Sequence, residues 1–336
     1  DSVSLPAAAK IPLRFFSVLK YPFPYLAAMQ ALVYKSTGNW YQLKNEQGRV
    51  LSARMAGKLK TEGITSSNPI AVGDNVTIND EAGEENLVIT SVLPRKNYIN
   101  RVSPHNKNQH IIIAANLDKA VLFATLKDPK TSLGFIDRFL VSAEAYHIPV
   151  VIVFNKSDLY KEKEKTNFEK IKTIYETAGY TVMAMSIKEN KGIAEIKAIL
   201  KDKTTLLSGH SGVGKSSFLN EIIPTQNQKT KEVSNWSGKG MHTTTFAEMF
   251  DLPQGGKIID TPGIRELGLV DISREELSQF FPEMRLILNN CRFNNCQHID
   301  EPGCAVKAEV ENDIISMERY ISYISIRDTI PESKWK

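Results

Sequence analysis

The chain has 336 residues, 42% of them hydrophobic and 24% charged, with a formal net charge of +4 and a pI of about 8.7. That length accommodates a central domain with satellites, and no apolar run approaches the ~20 residues of a membrane span, so the sequence reads as soluble, multidomain and without a membrane partner. The mild basicity permits a nucleic-acid partner without arguing for one.

Between Asp1 and Glu46 there is no acidic residue, while Lys10, Arg14 and Lys20 stand among Pro, Ala and Phe. Residues 1–28 read as a leader or vector-derived segment ahead of Met29, with an organellar transit segment as the alternative. From Ala31 to Val92 short alternating runs recur at Leu32–Tyr34, Trp40–Leu43, Val50–Met55, Asn75–Ile78 and Leu87–Val92, separated by Gly-, Asn- and Asp-bearing turns. That rhythm predicts a small antiparallel barrel of about five strands over 29–100. Arg49, Arg54, Lys58, Lys60, Arg95, Lys96 and Arg101 fall in or near it, either as phosphate contacts or as a solvated surface.

Beyond Asn108 buried strands alternate with helices. Strands are expected at Ile111–Ala114, Ala120–Ala124, Val150–Phe154, Thr181–Met185 and Thr204–Leu207, and helices at Phe135–Tyr146, Phe168–Ala178 and Ile193–Leu200. This is the pattern of a parallel sheet covered on both faces, over 101–270. After Gly263 the strands stop, and 271–336 reads as a helical segment with a Cys/His cluster.

Four short motifs in this middle region carry chemistry. Asn155-Lys156-Ser157-Asp158 follows a buried strand, where open α/β sheets place ligands. Asp158 can accept from both guanine N1–H and the N2 amine, which adenine lacks, so guanine is the expected base. Asn155 would brace the loop and the Lys156 stem would lie over the base, while a backbone N–H near Ser186, at the end of the next strand, could meet guanine O6.

Gly209-His210-Ser211-Gly212-Val213-Gly214-Lys215-Ser216, continuing into Ser217, joins a short apolar strand to a helix. Its glycines let the backbone curl so that N–H groups converge on phosphate oxygens. Lys215 would bridge the β- and γ-phosphates, and the Ser216 hydroxyl would ligate Mg²⁺. Thr243-Thr244-Thr245 offers further hydroxyls to Mg²⁺, Thr244 foremost, and in Asp260-Thr261-Pro262-Gly263 the carboxylate can hold Mg²⁺ through water while the Gly263 amide senses the γ-phosphate. Ile264 follows, where many Ras-like enzymes carry a water-orienting Gln, so His242 is the candidate catalytic residue beside Lys215 and Thr244, with a surface histidine as the bland reading.

All three cysteines lie in Cys291-x4-Cys296-x-His298-x5-Cys304. Three thiolates and an imidazole complete a tetrahedral zinc site with no open position, hence one structural Zn²⁺.

Together these motifs, in an order rotated relative to an ordinary small GTPase, resemble the RsgA family (also called YjeQ or YloQ) of circularly permuted GTPases. The resemblance runs from Met29 to the C-terminus and rests on NKSD, GHSGVGKS, HTTT, DTPGI and CRFNNCQHIDEPGCAV. It implies an N-terminal OB-fold, a circularly permuted P-loop GTPase domain and an α-helical zinc-binding domain. It also implies GTP/GDP and Mg²⁺ as ligands, a small ribosomal subunit with its 16S-type rRNA as partner, a monomeric cytoplasmic protein, and His242 as catalytic. Gly238-Lys239-Gly240-Met241 precedes His242 where relatives often carry Gly-Arg. A GTP-gated RNA-binding protein with little turnover and a P-loop kinase are the rival readings. Because the chain leaves the sheet after Asp260, ordering of the γ-phosphate loop is expected to reposition the zinc-binding domain.

Overall fold

The computed structural model describes residues 29–38, 40–60, 69–80, 87–102, 110–223, 247–261, 269 and 272–332, with only the backbone described at Lys58, Lys60, Asp80 and Val102. Residues 1–28 lie outside this range. All five expected N-terminal strands are present: β1 (Met29–Ser36), β2 (Trp40–Asn45), β3 (Val50–Met55), β4 (Asn75–Asp80) and β5 (Leu87–Val92). In β2 the period-2 pattern buries Tyr41 and Leu43 and leaves Trp40 and Gln42 outside. The pairings run β1–β2–β3–β5–β4 and return from β4 to β1, which closes the barrel and leaves no internal edge. β3 and β5 pair in parallel, a departure from the expected antiparallel barrel, because alternation along one strand does not encode the direction of its partner. Val33, Tyr41, Leu43, Ala53, Ile70, Val76, Ile78 and Ile89 fill it.

Arg95, one of the basic residues read either as a phosphate contact or as solvated surface, is engaged internally. Its Nε and Nη2 clamp the two oxygens of fully buried Asp74 at 2.7 Å each, and Nη2 also donates to Pro69 O at 2.6 Å. A buried carboxylate demands such a partner. Arg54 stays on the surface, over the half-exposed Trp40 ring at 5.5 Å.

The run at 111–114 does not open the parallel sheet. β6 (Tyr98–Val102) and β7 (His110–Ala115) form a separate antiparallel pair that links the barrel to the next domain. A short apolar run reads alike in either setting, and only the partner strand decides. The parallel sheet begins with β8 (Lys119–Ala124) and continues with β9 (Val150–Phe154), β10 (Thr181–Ala184), β11 (Thr204–Ser208) and β13 (Lys257–Asp260), with antiparallel β12 (Glu248–Asp251) at its edge. Its order is β10-β9-β8-β11-β13-β12.

Alternate residues of one strand serve opposite faces, as a doubly covered sheet requires. Leu122, Ile152 and Leu206 pack with α1 (Leu133–Ala145) and α2 (Glu162–Thr177). Val121, Val153 and Leu207 pack with α3 (Ile193–Leu200) and α4 (Lys215–Ile222). The Ser132 hydroxyl caps α1 by accepting the Phe135 N–H.

β12 also meets β1, at Lys35 opposite Glu248, so the barrel continues the sheet. The C-terminal region contributes α5 (Pro282–Arg285), α6 (Ala305–Glu311) and α7 (Met317–Thr329) around a core of Phe281, Met284, Val306, Tyr323 and Ile326 that includes Val141 of α1. Among the described residues no helix is long and apolar enough to cross a membrane.

Candidate guanine-nucleotide site and metal centre

The phosphate loop leaves β11 at the C-terminal edge of the sheet and enters α4. Two of its glycines are obligatory on steric grounds. Gly209 has φ +140° and a Cβ there would stand 2.4 Å from Phe123 O, while Gly214 has φ +100° and a Cβ would stand 2.2 Å from Asn155 Nδ2. Lys215 folds back over the loop, its Nζ donating to Gly209 O at 2.5 Å and His210 O at 3.0 Å. Burial lowers the pKa of this ammonium, with the Asp260 carboxylate opposing the shift. A phosphate beside it would act in the same direction as Asp260. Val213 is buried, whereas Ser211, Gly212, Ser216 and Ser217 are exposed at the mouth of the loop.

The Asn155–Asp158 loop leaves β9 two strands away and touches the phosphate loop directly. Buried Asn155 donates through Nδ2 to Val213 O at 2.8 Å. Lys156 takes the left-handed conformation, φ 65°, and its ammonium donates to Asp128 O. The Ser157 N–H donates to Met185 O at 3.0 Å, tying this loop to the end of β10. Asp158 Oδ1 accepts the Ser186 hydroxyl at 2.8 Å, which orients the carboxylate while leaving lone pairs for other donors. The Ser186 N–H is engaged with Lys191 O at 3.0 Å. Of Ser186 it is therefore the hydroxyl, not the N–H, that meets the Asp158 loop.

Asp260 ends β13 nearly buried, and the neighbouring Thr261 hydroxyl donates to Leu207 O at 3.1 Å on the strand that feeds the phosphate loop. His242, Thr243, Thr244, Thr245, Gly263 and Ile264 lie outside the described residues. Sequence reasoning missed the segment from Thr125 to Thr131, which abuts both the phosphate loop and Lys156. It carries no motif, and only the placement of β8 between β9 and β11 brings it there.

The ligand atoms of Cys291, Cys296, His298 and Cys304 all lie within 4.8 Å of one another. His298 Nδ1 stands 3.7 Å from Cys291 Sγ and 3.4 Å from Cys304 Sγ, spacings suited to ligands about one tetrahedral metal. Burial lowers the His298 pKa, favouring the neutral imidazole that a metal needs, and raises the Cys296 and Cys304 thiols, so metal uptake must expel protons. The supporting bonds are specific: Tyr320 donates to His298 O at 2.7 Å, Tyr323 to Gln297 O at 2.9 Å, and Glu301 accepts the Gln297 and Ile299 N–H groups. The donor set therefore fits zinc.

The RsgA GTPase family model matches residues 92–270 and the RsgA N-terminal domain model residues 30–88. A small ribosomal subunit biogenesis GTPase RsgA of Flavobacterium psychrophilum is 49% identical over 300 residues, 89% of this chain and 92% of that protein. One from Bacteroides fragilis is 46% identical over 310 residues, 92% of this chain and 99% of that protein. Among solved structures, YjeQ from Thermotoga maritima is 35% identical with a TM-score of 0.71, covering 89% of this chain and 97% of that one. YloQ, described as a circularly permuted GTPase, is 30% identical with a TM-score of 0.69, covering 91% and 96%.

Proposed function

Because the chain belongs to the RsgA GTPase family, we propose that it binds the small ribosomal subunit and its rRNA in the cytoplasm as a monomer, assists late maturation of that subunit, and hydrolyses GTP to GDP and phosphate in doing so. The observation that supports this reading best is the Asn155–Val213 hydrogen bond, which brings the base-reading and phosphate-binding loops, distant and inverted in sequence, to one edge of the sheet. A GTP-gated RNA binder with little turnover is the weaker alternative, since relatives spanning about nine-tenths of the chain are described as GTPases.

In this reading Asp158, held by Ser186, accepts from guanine, and Asn155 and Lys156 shape the base pocket. Ser157 fixes their loop to β10. The backbone N–H groups from Gly209 to Ser217 and the Lys215 ammonium hold the phosphates. Ser216 and Thr244, with Asp260 behind them, would hold Mg²⁺, which supplies charge neutralisation to the phosphates. Thr245 would offer a further hydroxyl toward Mg²⁺, the Gly263 amide would sense the γ-phosphate, and His242 would orient the water that Ile264 cannot. Cys291, Cys296, His298 and Cys304 hold one structural zinc ion. The units we assign are 29–100, 101–270 and 271–336, with the β6–β7 hairpin lying across the first limit.

Single-turnover GTP hydrolysis with purified small and large subunits tests the proposal. Stimulation by the small subunit alone is expected, and equal rates with and without it would overturn the reading. Asp158→Asn should shift preference to xanthosine nucleotides, since a charge-assisted two-point contact is lost. His242→Ala should lower stimulated turnover far more than GTP affinity.

A further inference from the structure

The loop between β8 and α1 is built as carefully as the nucleotide motifs it faces. Thr131 donates its N–H to Thr125 O at 2.8 Å, Thr125 returns its N–H to Thr131 Oγ1 at 2.9 Å, and the Thr125 hydroxyl donates to Pro129 O. Both threonines are buried, so these bonds form where water does not compete. From this closed loop Pro129 backs Gly212, where a Cβ would stand 3.3 Å from its Cδ, and Thr131 Oγ1 lies 2.7 Å from His210 Nε2.

The direction of that last bond follows from its neighbours. His210 Nδ1 lies 3.2 Å from Ser211 O, which can only accept, so in the neutral ring the proton sits on Nδ1 and Nε2 is an acceptor. The Thr131 oxygen already accepts the Thr125 N–H, and its own proton goes to Nε2. The result is a one-way relay from the Thr125 N–H through the Thr131 hydroxyl and the His210 ring to Ser211 O. Phe135, edge-on to the imidazole at 5.4 Å and 81°, restricts the ring further. In a trans peptide the carbonyl and the following N–H point opposite ways. Whatever fixes Ser211 C=O therefore fixes the Gly212 N–H, one of the donors in the phosphate loop.

We propose that Thr131 is a positioning residue of this GTPase: through His210 it sets the Ser211–Gly212 peptide of the phosphate loop, and with it affinity for the nucleotide's phosphates, without reading the base. This rests on the nucleotide site assigned above. Thr131→Val keeps the shape of the side chain and removes the relay, whereas Thr131→Ser keeps the hydroxyl.

In equilibrium titrations of the full chain, Thr131→Val is expected to weaken GDP binding about tenfold, the scale of one buried hydrogen bond. Thr131→Ser should stay near wild type, and preference for GDP over xanthosine diphosphate should be unchanged in both. His210→Phe should weaken GDP as Thr131→Val does, and the double variant should be no weaker than either single one. Wild-type GDP affinity in Thr131→Val, failure of the Ser variant to rescue, lost base preference, or additive effects would each overturn the proposal. Asp158→Asn in the same titration is the control: if its base preference does not move, the guanine-pocket assignment fails, a result distinct from anything the Thr131 pair reports.

Discussion

The ion pairs that join the two satellites to the GTPase domain differ in burial. The barrel's ion pairs to β12 are half-exposed: Lys35–Glu248 at 2.8 Å, and Asp251 receiving Lys44 at 2.5 Å and the Tyr34 hydroxyl at 2.7 Å, with Lys257 of β13 beside it at 3.5 Å. Leu32 and Tyr34 also pack against the sheet core, which includes Val72. The region of the Cys/His cluster meets α1 through Arg319 of α7, whose side chain is 2% exposed and pairs with Asp137 at 2.7 Å and Glu283 at 2.6 Å. The guanidinium also lies 4.6 Å from the Phe281 ring and 5.6 Å from that of Tyr175, whose hydroxyl donates to Asp137. Burial opposes the charge on Arg319, but the two carboxylates outweigh it and raise its pKa. Half-exposed ion pairs are worth little and can be exchanged for water, whereas opening a buried triad strands charges in a dry interior. The difference teaches where charge pairs can exchange with water: at the barrel joint, whose Glu248 stands opposite Asp260 in register, more readily than at the joint of the Cys/His region. The outcome expected from this contrast is that nucleotide state shifts the barrel rather than the Cys/His region, the reverse of the expectation from chain order.

The largest effect should come from the metal. Chelation, or Cys296→Ala, is expected to unfold the region around residues 291–304, since structural zinc contributes on the order of 10 kcal/mol in small sites. GDP affinity should be largely retained. Circular dichroism and GDP titration check this, and a cluster region that stays folded without metal would show that α7 and its Arg319 anchor suffice alone. Next, Arg319→Ala should destabilise the chain by about 3–5 kcal/mol, because Asp137 is left buried without its cation. Denaturant unfolding reads this directly, and a loss under about 1 kcal/mol would erase the contrast between the joints.

Asp251→Asn, by comparison, should cost no more than about 1 kcal/mol. Paired spin labels should show the barrel, not the Cys/His region, shifting between GDP and a non-hydrolysable analogue. The reverse pattern would break the comparison. The smallest effect is acid sensitivity. Burial would raise the Asp251 carboxyl, but Lys44, Tyr34 and Lys257 together hold it below the usual aspartate range. A depressed carboxylate stabilises above its unfolded pKa of about 3.9 and loses that contribution as pH falls through the folded value. The barrel joint should loosen below about pH 4, and Asp251→Asn should abolish that response in the label distances.

Much of this was legible beforehand because the information is local. Barrel strands announce themselves by alternation, as in Tyr41 and Leu43, and the sheet strands by unbroken apolar runs such as Val150–Phe154. A metal cluster is legible from spacing, because ligands within fourteen residues can hardly avoid one another. β12 was not legible: Glu-Met-Phe-Asp is too short and too acidic at its ends to read as a strand, and it exists because β13 and β1 pair with it. Arg95 was read as a surface cation because nothing near it in sequence shows that Asp74 is buried.

By itself, then, the order of residues pointed to a ligand chemistry: guanine for Asp158, phosphate for the glycines before Lys215, and a tetrahedral metal for three cysteines and His298. Each is a short run of chain whose backbone curl and donor types follow from its own residues. Tertiary structure alone decided what stands behind those groups. Ser186 behind Asp158, Thr131 behind His210, Arg319 across Asp137 and Lys44 across Asp251 are separated by 28, 79, 182 and 207 positions. Such pairs leave no periodic or spacing signal, because a hydrogen bond needs only that two atoms meet, and where distant atoms meet is set by the packing of the sheet and helices that carry them.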